Sequence, residues 1–221
     1  MKTQKIYNLV ILDASGSMHS IYTQALSGVN ETLATIRMAQ EEHPELQQYV
    51  TLASFSAGDH FLNRIYSALP IAEARNITRE DYPLLGCSAL YDAMGTCISE
   101  LQQKVTHEDR VLVTIITDGY ENASRTWSGK QIKSLVQELR QMGWTFTYIG
   151  ADKMSRKLLK LSAFRILFVS RPMQKRQQSC LPKNASAAIS STIRCPCFWQ
   201  KQHLAPHWKR AMTTLTIFSY E

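Results

Sequence analysis

Two rhythms of hydrophobic and polar positions alternate from Lys5 to Gly150. KIYNLVILD, residues 5–13, is a near-continuous apolar run rich in Val, Ile and Leu, the pattern of a strand buried on both faces of a sheet. Leu26, Val29, Leu33 and Ile36 then recur at three- and four-residue spacing. That spacing predicts an amphipathic helix ending before Pro44. QYVTLASFS (48–56) and HFLNRIYSAL (60–69) read as two strands, and the Ala57-Gly58-Asp59 turn signal between them makes a hairpin. A polar stretch around EARNITREDYP (73–83) follows. Leu90, Met94, Cys97 and Leu101 mark a second helix, RVLVTIITD (110–118) a second strand that closes on an acid, and Ile132, Leu135, Val136, Leu139 and Met142 a third helix. WTFTYIG (144–150) is a further strand.

This order is βα alternation with one hairpin. It predicts an α/β fold with an open, mostly parallel twisted sheet and helices on both faces. In such sheets ligands bind beyond the carboxyl ends of the strands, where the strand order reverses. Asp13 and Asp118, each at the end of an apolar strand, are expected at that place.

Charge divides the chain. The net charge is +7, but residues 1–152 carry 12 basic and 17 acidic residues, whereas Lys153 to Glu221 carry 13 Lys and Arg against the single acid Glu221. All nine glycines lie at or before Gly150. The expected organisation is therefore one domain over 1–152 and an atypical basic tail over 153–221 that is not a domain of its own. The apolar run near the N-terminus is too short for a signal peptide and leads directly into the motif below. No stretch has the length of a membrane helix. Five cysteines without a regular framework suit reduced thiols, so a cytoplasmic location is expected.

Asp13, Ser15 and Ser17 alternate through a turn loosened by Gly16, which lets three oxygen-bearing side chains converge. Hard oxygen donors with little charge suit Mg²⁺, which demands octahedral geometry and keeps some waters. Asp13-Ala-Ser15-Gly-Ser17-Met18 resembles the D-x-S-x-S signature of von Willebrand factor A (vWA) domains. TIITDGYEN (114–122) resembles the strand that delivers that family's second aspartate, here Asp118. GCSALYDAMG (86–95) resembles its intervening loop and helix start, with Ser88 where the family usually has threonine. The likeness covers roughly residues 5–150, with three motifs in the family's order. It implies a metal-ion-dependent adhesion site formed by Asp13, Ser15, Ser17, Ser88 and Asp118, holding Mg²⁺ (or Mn²⁺). It also implies that an Asp or Glu of an unidentified partner protein completes the coordination. No small-molecule substrate is expected. Met18, His19, Tyr120 and Glu121 flank these loops as candidate rim contacts, although they read better as ordinary loop residues, some of them packing locally. A family-level analogy adds an alternative role, as accessory subunit of an AAA+ ATPase machine.

Catalytic readings lack their partners. A phosphatase of the haloacid dehalogenase type needs a second acid two residues after Asp13, and Ser15 stands there. There is no G-x-S-x-G elbow and no phosphate-cradling G-x-x-x-x-G-K-[ST] loop. The chain is not expected to be an enzyme. The tail offers a basic amphipathic segment, KMSRKLLKLSAFRILFV, suited to nucleic acid or an anionic membrane. It also holds Cys195, Cys197, His203 and His207, at a spacing unlike that of a zinc finger. Loss of acids and glycines together suggests another origin: translation out of frame, since permissible codons for residues 180–201 spell a charged, helical-looking sequence in a shifted frame. On that reading the WTFTYIG strand is left as an open edge, unless RILFVS (165–170) pairs with it.

Overall fold

The computed structural model describes residues 4–58, 60–118 and 121–150, and the backbone of a strand at 165–168. Strands β1 (Gln4–Asp13), β2 (Leu46–Phe55), β3 (Leu62–Pro70), β4 (Arg110–Thr117), β5 (Thr145–Gly150) and β6 (Arg165–Phe168) form one sheet in the order β3-β2-β1-β4-β5-β6. Every neighbouring pair is parallel except the β2–β3 hairpin. The order runs outward from β1 in both directions, so it reverses between β1 and β4. The α/β architecture read from the sequence is the one observed.

Leu9, Val10, Ile11 and Leu12 are all at most 1% exposed, which explains why their run is continuous rather than alternating. Burying each contributes about 2 kcal/mol. Tyr7, Leu9 and Ile11 share one face with Val111, Val113 and Ile115. That face is covered by helices α2 (Leu90–Gln102) and α3 (Gly129–Gln141) through Ala93, Cys97, Ile98, Ile132, Val136 and Leu139. Helix α1 (Tyr22–Glu42) buries Ala25, Val29, Leu33 and Ile36 outside that cluster, on the opposite face, to which the two-residue period turns Val10 and Leu12.

Two segments depart from the sequence reading. A 3-10 turn, Gly16–Ile21, precedes α1, which starts well before its first periodic residue. The polar stretch after β3 is also more than polar, since Ile71, Ala74, Ile77 and Tyr82 are buried in it. The Asn30 side chain accepts from Ile77 N (2.8 Å) and donates to its carbonyl (3.0 Å), Arg37 donates to Ala74 O (2.9 Å), and Tyr82 stacks on Tyr22. Buried residues there follow neither the helical nor the strand period, which is why pattern reading sees only their polar neighbours.

The β5 edge expected to be open is paired, because Arg165–Phe168 adds in parallel along Thr147–Gly150. The remaining tail positions, with the Cys/His spacing and the shifted-frame reading, lie outside the described residues. Among the described residues no helix is long and apolar enough to cross a membrane.

Candidate metal centre

Asp13 ends β1 beside β4, with Leu12 in register with Ile116, so its carboxylate sits at the reversal point of the sheet. The residue is fully buried. Ser15 N donates to Oδ1 (2.8 Å), while Ser88 Oγ (3.1 Å) and Thr117 Oγ1 (2.6 Å) both donate to Oδ2. Ser15 Oγ lies 3.1 Å from Ser17 Oγ, and of that pair Ser15 is buried and Ser17 exposed. Asp118 follows the last residue of β4, is 7% exposed, and its N–H donates to the Met18 sulfur (3.1 Å). Four of the five predicted site residues are therefore linked through the Asp13 carboxylate and the Ser15 hydroxyl. Asp118 lies close enough to act on Asp13 through space.

Burial pushes the Asp13 carboxyl above its ordinary range, and the Asp118 charge adds to that, against the opposing hydrogen bonds from Thr117 and Ser15. Its neighbours are thus neutral donors and a second carboxylate. An ionised Asp13 in this setting favours a cation. Ligand oxygens about 2.1 Å from a metal in octahedral geometry lie roughly 3 Å apart, close to the 3.1 Å between the Ser15 and Ser17 hydroxyls and between Ser88 Oγ and Asp13 Oδ2. The donor set fits Mg²⁺ or Mn²⁺. Among the described residues no three of His, Cys, Asp and Glu cluster as a metal site, so a cation held here would need the hydroxyls as well as the two carboxylates.

Three loops meet here and are sewn together by the backbone. Leu85 N donates to Ala14 O (2.7 Å) and Gly16 N to Gly86 O (3.0 Å). On the other side Ser88 N donates to Asn122 Oδ1 (3.0 Å), and Asn122 N and Ala123 N both donate to Ser88 O (3.1 Å).

Helix α2 begins at Leu90 with no side-chain cap from Ala89. Its unsatisfied N–H groups are met from a distance, because Tyr91 N donates to Glu121 Oε2 (2.9 Å) and Asp92 N to Ser124 Oγ (3.1 Å). The Asp92 carboxylate returns the bond, accepting from Arg125 N, Thr126 N and Trp127 N at 2.7–2.9 Å. Gly95 lets the Trp127 ring lie against α2, where a Cβ would fall 2.2 Å from ring atoms.

The candidate rim residues separate accordingly. Met18 is fully buried, and Glu121 spends its carboxylate on Tyr91 N, Ala123 N and Ser124, so both support loops. His19 is exposed beside Ser17, and Tyr120 lies outside the described residues. Sequence reasoning overlooks Thr117, Asp92 and Tyr82, whose hydroxyl donates to Asp13 O. Thr117 is camouflaged as a β-branched strand residue. Asp92 gives one signal, an acid at a helix start among the buried Leu90, Ala93 and Met94.

No protein-family model matches the chain, and no curated protein does. Solved structures do. The pilus adhesin SpaC from Lactobacillus rhamnosus GG, in its open conformation, is 11% identical with a TM-score of 0.55, over 76% of this chain and 28% of its own. Proximal thread matrix protein 1 from the mussel byssus is 16% identical with a TM-score of 0.51, over 76% of this chain and 42% of its own. The SpRpn10 VWA domain is 12% identical with a TM-score of 0.50, over 74% of this chain and 87% of its own. The chain spans less than half of the first two. At such identities the likeness is one of fold alone. That fold is vWA-like.

Proposed function

We propose that the chain is a metal-dependent protein-interaction module. Asp13, Ser15, Ser17, Ser88 and Asp118 would hold Mg²⁺ or Mn²⁺, and an Asp or Glu of a partner protein would complete the coordination. The observation that carries this reading is the convergence of Ser15, Ser88 and Thr117 on one buried carboxylate at the point of strand reversal, with the exposed Ser17 hydroxyl beside Ser15. When bound, the cation supplies a positive pole for a carboxylate. The protein's own groups do the rest. Serine hydroxyls add oxygens without adding charge, so no anion beyond the two aspartates would oppose a partner carboxylate. Exposure of Ser17 gives the site an outward face, whereas Asp13, Ser15 and Ser88 form its buried floor.

Titration of the full-length protein with Mn²⁺, followed by the loss of the free-ion paramagnetic signal, tests the site. One Mn²⁺ per chain is expected, abolished in Asp118→Ala. Acetate or a short Glu-containing peptide should then lower the water-proton relaxation of the bound Mn²⁺ by displacing coordinated water. Equal binding by wild type and Asp118→Ala, or Mg²⁺-dependent phosphatase turnover that requires Asp13, overturns the proposal.

A further inference from the structure

The start of α2 and the loop that follows Asp118 cap one another. Glu121 and Ser124 of the loop satisfy the first N–H groups of the helix, and Asp92 of the helix satisfies three consecutive N–H groups of the loop. Each half lacks a local substitute. Ala89 has no capping side chain, and residues 121–127 form no helix or strand. Asp92 is 8% exposed, so its charge is desolvated and its geometry fixed by those three donors. The same two segments carry Ser88 and Asp118, and the bonds between Ser88 and Asn122 and Ala123 continue the junction to the metal centre.

We infer that Asp92, with Glu121, is a positioning residue that sets the metal affinity of the site by fixing the Ser88 loop to the Asp118 loop; this rests on the metal-binding reading above. Neither residue touches the proposed ion. Asp92 acts through the backbone of residues 125–127, and Glu121 through Tyr91 N, three residues beyond Ser88. Outer partners that orient metal ligands typically control affinity by 10–100-fold. Asp13, Ser15 and Ser17 share one turn, whereas Ser88 and Asp118 come from two other segments, so their spacing rests on non-covalent bonds such as those from Ser88 to Asn122 and Ala123.

The test compares full-length wild type, Asp92→Asn, Glu121→Gln, Asp118→Ala and a remote control, Asp109→Asn, whose carboxylate braces Thr106 in its own loop. Mn²⁺ affinity is measured at 10 °C, well below unfolding, alongside the melting temperature without metal. Asp92→Asn keeps the shape but turns one acceptor oxygen into a donor facing N–H groups. It should weaken Mn²⁺ binding about tenfold, with a smaller loss in Glu121→Gln and none in Asp109→Asn. Should Asp92→Asn fail to fold, Glu121→Gln carries the test. Lowered melting temperature with wild-type Mn²⁺ affinity in both variants makes the clamp purely structural and overturns the inference, while loss of binding in Asp118→Ala leaves the metal reading intact. Wild type that binds no Mn²⁺ overturns both.

Discussion

Two irregular segments, 74–89 and 121–128, reach the carboxyl end of the sheet, and an aspartate organises each. Asp81 works locally. Its Oδ2 accepts from Thr78 N (2.7 Å) and Thr78 Oγ1 (3.0 Å), and Arg75 grips both of its oxygens. Asp92 works over a distance, binding three N–H groups 33–35 positions further along the chain. The first arrangement stiffens a segment, while the second fixes two segments in relation to each other. Asp81 keeps 17% of its side chain exposed and shares its charge with a cation, whereas Asp92 is buried and held by three oriented N–H dipoles.

The largest effect should therefore come from Asp92→Ala, which strands three N–H groups and the end of α2 together. A loss of about 3 kcal/mol is expected in urea denaturation. A loss under about 1 kcal/mol would place Asp92 on a par with Asp81. Gly95→Val comes next, since its side chain must displace the Trp127 ring, and overpacking of this kind costs about 2 kcal/mol. Combining it with Trp127→Ala should then cost less than the two changes added together, a coupling that a double-mutant cycle reads directly. Asp81→Ala should cost about 1 kcal/mol, because its bonds are local and partly solvated.

Acid gives the subtlest contrast. Arg75 and the Thr78 bonds hold the Asp81 carboxyl well below the usual carboxylate range. Its contribution is therefore complete above the unfolded value, near about 4, and fades as pH falls through its folded value. Hydrogen-exchange protection at Thr78 N should drop below about pH 4, while Ile77 N, bonded to the non-titrating Asn30 amide, keeps its own. Parallel loss at both amides would show that the segment opens as a unit rather than at Asp81.

The same distinction explains what the sequence reveals. T-x-x-D occurs at Thr78–Asp81 and again at Thr106–Asp109, each time with Thr N and Oγ1 bonded to the Asp Oδ2, a local device that polarity alone does not single out. The strand-ending acids are legible because a charge closing an apolar run is conspicuous, and sheet topology then brings Asp13 and Asp118 to the same end. Ser88 is legible only through the motif around it. Thr117 and Tyr82 escape because each belongs to a stretch with a simpler explanation, a β-branched strand and a polar loop. The reciprocal capping escapes because a helix start without a local cap looks merely weak until its partner loop arrives.

The bond from Thr117 to Asp13 closes a separation of 104 positions. Non-local contacts of this kind must await closure of long loops, and parallel sheets assemble slowly for that reason. Helices and the β2–β3 hairpin can form from neighbours in the chain, but the Asp13 pocket exists only once β1 and β4 lie side by side. On the proposed metal-binding reading, the helical signal should thus recover during refolding before Mn²⁺ capture does. The proposed centre would then serve as a clock for the pairing of β1 with β4, the most distant in sequence, rather than as a seed for the sheet.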